Sequence, residues 1–188
     1  MNIFYLDSDP KSCAIMHNDK HVVKMILEYS QLLSTAHRVL DGTKMSKLSN
    51  SGRNVKRWKL NDERDTLLYS ATHVNHPSAI WARKSISNYR YLHNLLVELS
   101  NEYTYRYGKV HKCESSGLVS HLYAVPINIS SNEFTEPTPA MPEEYVKFND
   151  SITSYRTYYI KSKQHLAKWS GKINSRIPPE WFIYATSQ

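Results

Sequence analysis

A chain of 188 residues with 24 Lys and Arg against 17 Asp and Glu has a formal charge of +7 and a pI near 9.3. That balance favours an anionic partner, nucleic acid first and DNA in preference to RNA, and the 14 tyrosines and four tryptophans suit a basic cleft with aromatic faces for unstacked bases. It argues against a membrane partner, because no apolar run approaches the roughly 20 residues a span needs.

Other totals narrow the class. The length fits one domain, 1–188, with a core that needs no disulfide or metal staple. Only five glycines favour helices over a turn-rich β fold. The N-terminus has neither the basic region nor the long apolar core of a signal peptide. Cys13 and Cys113 stand apart with no metal-type spacing, so the expected setting is a reducing cytoplasm with two free thiols.

In chain order, Asn2 to Leu6 is short, apolar and aromatic, a strand or a buried extended arm. Asp9-Pro10 gives a helix start, with Asp at the cap and Pro at the first helical position. Helical spacing then continues to Leu40, before Asp41-Gly42. Residues 43–59 are basic and rich in Ser and Asn and read as an exposed loop. Leu60 to Ala71 suits a short helix, and the polar turn Thr72-His73-Val74-Asn75-His76 leads to Pro77. From Ser78 to Tyr107 apolar residues recur at helical spacing, ending at Gly108. Residues 113–141 carry serines and prolines that exclude a long helix and suggest an extended segment over the surface. Pro142-Glu143-Glu144 opens a last helix running to about Trp169, followed by a tail over 170–188. The expected fold is mainly α, a compact single domain with three principal helices, a short N-terminal extended segment and a Pro-rich irregular segment before the last helix.

The first helix holds the densest set of reactive side chains. At about 100° per residue, Ile15, Val22, Ile26, Tyr29, Leu33, Ala36 and Leu40 form a core-facing seam. His17, His21, Lys24, Glu28 and Thr35 form a second stripe on the far side. A polar stripe opposite a seam is ordinarily a solvated face. Here Val23 and Leu27 flank it on one side and Met25 and Leu32 on the other, so the line is expected to face a cleft.

Two chemistries suit that line. Glu28 with Lys24 and His21 can do acid/base work, and a desolvated Lys24 can act as an amine nucleophile; the plainer alternative is an i,i+4 ion pair. His17 and His21, four apart, can instead grip a divalent metal ion, with His73 and His76 completing a four-nitrogen site; otherwise no cofactor is expected. Cations suited to phosphate are Arg38 and Arg83, then Arg53, Lys56 and Arg57 in the basic segment, and Arg106, Lys109 and Lys112 near the end of the 78–107 helix. Trp181 offers an aromatic face in the tail. There is no Gly-rich phosphate loop, Gly-x-Ser-x-Gly elbow, paired CxxC or HExxH motif, which removes the commonest kinase, hydrolase and zinc-protease readings.

Asp19-Lys20-His21 followed by Glu28, the His76-Pro77 turn, the Glu102-Tyr103-Thr104-Tyr105-Arg106-Tyr107 stretch and the aromatic tail around Trp181 resemble the phage-type pyrimidine-dimer DNA glycosylases. The wording Met-Asn-Ile-Phe-Tyr-Leu-Asp followed by Asp-Lys-His-Val-Val-Lys-Met is also similar to proteins carried by tailed phages, which would place the chain in a host cytoplasm. The resemblance covers about a third of the chain and implies a compact all-α protein in which Glu28 is the catalytic glutamate. It also implies an α-amine nucleophile. In the family that amine is exposed when the initiator Met is removed ahead of a small residue; here the bulk of Asn2 opposes removal, so the free amine would be on Met1. Leu27 and Gln31 stand where the family has arginines that grip the damaged strand.

Three functions follow as expectations. The first is a DNA glycosylase, with or without lyase activity, acting on a damaged or modified base through Glu28 and an amine, from Met1 or Lys24, with His21 nearby. The second is a metal-dependent enzyme acting on a nucleotide or nucleic acid through its histidines. The third is a non-catalytic phage protein that binds DNA or a host factor.

Overall fold

The computed structural model describes residues 1–48 and 52–187. The chain is mainly α with one small antiparallel sheet. Among the described residues no helix is long and apolar enough to cross a membrane.

Residues 3–6 form a buried arm without strand pairing. Helix α1 (Pro10–Met16) starts where the Asp9-Pro10 pair predicts, with the Asp9 carboxylate accepting the Ser12 N–H at 2.8 Å. The expected single helix to Leu40 is broken, however. His17 is extended, and the Asn18 side chain accepts the His21 N–H at 2.9 Å to start α2 (Asp19–Asp41) afresh. An Asn cap followed by an acid in the first turn is a local start signal, and it outweighs the continuous helical spacing.

The basic segment read as a loop is a hairpin, β1 (Thr43–Leu48) and β2 (Asn54–Lys59), antiparallel from Thr43 opposite Lys59 to Leu48 opposite Asn54. It lacks the apolar alternation that marks a half-buried strand, because most of both strands is exposed. Helix α3 (Arg64–Leu67) is only a fragment of the helix expected over 60–71. The helix expected from Ser78 to Tyr107 is also two, α4 (Pro77–Ala82) and α5 (Ile86–Tyr107), because Ser85 caps the second through the Asn88 N–H. Gly108 ends α5 in the left-handed region, φ 64°, with its N–H on the Thr104 carbonyl; a Cβ there would also collide with Ile173.

Two short helices, α6 (Lys112–Ser115) and α7 (Leu118–His121), interrupt the segment expected to be irregular. The chain beyond them does run irregularly past α5, held by bonds such as Asn88 to Thr135. Pro142 opens only a 3-10 turn over Glu143–Tyr145; α8 (Ser151–Ser162) begins later, where the Asp150 carboxylate accepts the Thr153 N–H. The tail adds α9 (Glu180–Thr186). The three expected helices are thus each broken or shortened, and capping side chains account for the breaks.

The core forms where α2 packs on α5 and α1 on α5. Val22, Ile26, Tyr29, Leu33 and Ala36 of the predicted seam are buried, against α5 residues that include Leu92, Leu96 and Leu99. Full burial of such a side chain contributes about 1.5–3 kcal/mol. Ile15 and Leu40, at the seam's ends, are only partly covered.

Candidate active centre at the N-terminal amine

Two groups hold Glu28. The Lys24 ammonium lies 3.1 Å from Oε1 and the Met1 α-amine 3.8 Å from Oε2. The first pair is the i,i+4 contact expected on a helix; the second joins the chain terminus to the middle of α2. Glu28 is 14% exposed and Lys24 67%, so the carboxylate is sheltered while the lysine reaches into solvent. Val23 and Leu27 are 40% and 39% exposed, an apolar rim on that side. On the other side Met25 and Leu32 are buried.

The amine is placed by the arm behind it. The Phe4 N–H donates to the Tyr29 hydroxyl (3.1 Å), and the Phe4 carbonyl accepts from the Cys13 thiol (3.2 Å). The His17 Nδ1–H donates to the Cys13 carbonyl at 2.7 Å, which leaves Nε2 to accept the Tyr29 hydroxyl proton at 3.4 Å. The Phe4 ring stacks on His21 at 4.2 Å between centroids. Both backbone groups and the side chain of Phe4 are therefore anchored three residues from the amine. Burial holds His17 down to about 4, with the Arg106 charge acting in the same direction. Burial first, then the charges of His17 and Lys163, holds His21 at about 2.

This corrects the sequence reading of His21 and His17. His21 is buried and bonded through Nδ1 to the Tyr159 hydroxyl, so it supports the arm rather than joining Glu28 in a cleft. Both ring nitrogens of His17 are engaged in the core, which removes it from a metal pair with His21. Among the described residues no three His, Cys, Asp or Glu side chains are grouped to hold a metal ion.

The 72–76 turn is linked to Glu28 electrostatically, through His76. His76 sits within electrostatic reach of the Met1 amine, His73 and Glu28; desolvation lowers its imidazole, the amine and His73 lower it further, and Glu28 opposes them. His76 caps α4, Nδ1 accepting the Ser78 N–H. His73 is exposed and held at φ 47°, an uncommon conformation for a non-glycine residue. Thr35, from the predicted polar stripe, takes the Thr72 N–H at 3.1 Å, and Arg83 donates to the Val74 carbonyl at 2.8 Å. Arg83 thus braces the turn.

Three other predicted contacts to nucleic acid have internal duties. Arg38 is buried and bonds the carbonyls of Trp58, Asp65, Leu68 and Tyr69 and the Asp65 carboxylate. Arg106 is fully buried between Glu102 (2.6 Å), Asp19 (2.9 Å) and the Ile15 carbonyl (2.9 Å). Burial alone would raise Glu102, yet the Arg176 and Arg106 hydrogen bonds bring it below the usual carboxylate range. Asp19, Glu102 and Arg106 therefore serve this buried ion network, while His21 is held apart from it by Tyr159 and Phe4. Trp181 is half-buried, edge-on to Tyr159 and covered by the Arg156 guanidinium 5.5 Å from its ring centre. Arg53, Lys56, Arg57, Lys109 and Lys112 are exposed.

The sequence did not mark the supports: Tyr29 reads as part of the core seam, Cys13 as a free thiol and Phe4 as part of the apolar arm, and only their polar atoms show the anchoring role. Comparison with protein-family models, with curated proteins and with solved structures finds no match to this chain.

Proposed function

We propose that this protein is a DNA-acting enzyme, a glycosylase with associated lyase chemistry, in which the Met1 α-amine is the nucleophile and Glu28 its partner. The observation that carries the reading is the 3.8 Å approach of the amine to the Glu28 carboxylate. Of the two amines beside Glu28, the α-amine is the better placed nucleophile, because it is carried by the anchored arm whereas Lys24 reaches into solvent. Lys24, largely in solvent, is suited to neutralising Glu28 between turnovers or to meeting phosphate.

In the proposed step the amine lone pair forms a bond to C1′ while the glycosidic bond breaks, and the base departs with that electron pair and picks up a proton. Glu28 stabilises positive charge at C1′ and takes the proton the amine must lose. Opening of the sugar ring then gives an imine, from which a proton at C2′ is lost and the 3′-phosphate is eliminated.

An abasic-site duplex tests the covalent step without knowledge of the base, and ultraviolet-irradiated duplex tests base release. Borohydride is expected to trap the protein on the abasic duplex by reducing the imine. Glu28→Gln is expected to lose base release and most of the trapping. Full base release by Glu28→Gln would end this reading.

A further inference from the structure

The β1–β2 hairpin contributes almost nothing to the core, and its composition is one-sided. Residues 43–59 include Lys44, Lys47, Arg53, Lys56, Arg57 and Lys59 and no Asp or Glu. Among the described residues Lys44, Lys47, Lys56 and Arg57 form no ion pair; Lys44 lies over the Trp58 ring at 5.8 Å. A two-stranded ribbon without an apolar face is marginal by itself. This one is tied at its base, where Arg38 donates to the Trp58 carbonyl and the Leu60 N–H to the Asp65 carboxylate. A fold that holds so much uncompensated positive charge in an extended ribbon favours a polyanion along it.

A groove of about 570 Å³ lies against the hairpin, lined by Lys47, Arg57, Trp58 and Lys59 of its strands and by Ser70 and Ala71. Asp65, the acid in its lining, is already paired with Arg38 at 2.8 Å. Ala71 is followed by Thr72 and His73, so the Cα of His73 lies within about 7.6 Å of that of Ala71, and His73 belongs to the turn whose His76 is linked electrostatically to Glu28. On this basis, and resting on the reading of the protein as a DNA-acting enzyme, we infer that one phosphodiester strand of a DNA duplex lies in this groove and passes from the hairpin to Glu28. A six-residue strand is about 20 Å long, which matches about six nucleotides at 3.4 Å per step of one duplex strand. Cationic side chains along a ribbon recognise the backbone and leave the base to the centre itself.

The test is fluorescence anisotropy of a labelled 20-base-pair duplex with one abasic site, between about 50 and 200 mM salt. The double variant Lys47→Gln with Arg57→Gln is expected to bind about tenfold more weakly or worse, with the salt slope reduced by about two. Lys47→Arg with Arg57→Lys keeps the charge and is expected to keep the affinity, which separates lost contacts from lost folding. Lys161→Gln with Lys172→Gln removes the same charge from exposed positions elsewhere and is expected to leave the slope unchanged. Parent-like binding by the hairpin double variant, equal weakening by the control pair, or tighter binding of an RNA duplex of the same sequence would overturn the inference. The two readings fail separately. Hairpin-dependent binding without trapping or base release leaves the groove standing and removes the glycosylase. Trapping that is undiminished in the hairpin variant does the reverse.

Discussion

The Tyr29 hydroxyl takes the Phe4 N–H at 3.1 Å, and this bond across 25 positions anchors the arm that carries the α-amine. Removing the acceptor leaves a buried N–H without a partner, at a cost of about 1–3 kcal/mol. Tyr29→Phe should therefore lower the melting temperature by several degrees, since about 1 kcal/mol corresponds to roughly 2–4 °C at this chain length. An unchanged melting temperature would show that the hydroxyl does not hold the arm.

The position of the amine can be moved without touching any side chain. Placing Gly-Ser ahead of Met1 takes the charge away from Glu28 and leaves the anchored Phe4 in place. Borohydride trapping on the abasic duplex should fall by about 100-fold or more, a loss in the range expected for removing a catalytic group, while the melting temperature stays near that of the parent. Trapping that survives the extension would point to a lysine nucleophile, and Lys24→Met would then be the variant to compare.

Arg106 should behave as a structural residue. Its guanidinium joins Glu102 and Asp19 inside the protein, and removing one partner from a buried ion network costs about 3–5 kcal/mol. Arg106→Met is expected to show that loss in urea unfolding, and the folded variant should keep the parent's salt slope for DNA. A reduced slope would return Arg106 to the list of phosphate contacts.

Acid should destabilise the protein before its carboxylates are titrated. His17 and His37 are both held at about 4, each chiefly by burial, with Arg106 adding to the effect at His17 and Arg64 at His37. The unfolded chain takes up protons at these positions near 6.5, so it binds more protons than the native state between about 6.5 and 4. Their contribution is fully present above 6.5 and is lost as pH falls, by about 1.4 kcal/mol per pH unit for each histidine. Urea unfolding at pH 7, 6 and 5 should show this decline, and His37→Gln should flatten it. A stability that is level over that range would contradict neutral, buried imidazoles.

Several features were legible in the residues themselves because they depend on neighbours a few positions away. Asp9-Pro10 and His76-Pro77 start helices, Gly108 stops one, Val22, Ile26, Tyr29 and Leu33 share a buried face, and Lys24 meets Glu28 one turn on. The new starts at Asn18, Ser85 and Asp150 were equally local, but the apolar spacing running through them concealed the caps. Tertiary structure alone decided which charges remain available. Arg106 and Asp19 are 87 positions apart, and nothing local distinguishes a cation that will be buried against a distant carboxylate from one that will meet solvent. The same holds for His21, drawn into the core by Phe4 and Tyr159, and for Met1, brought to Glu28 by an arm folded back on α2. Spacing along one helix sets which side chains share a face. Which groups arrive opposite that face depends on long-range packing and on the need to give every buried polar atom a partner.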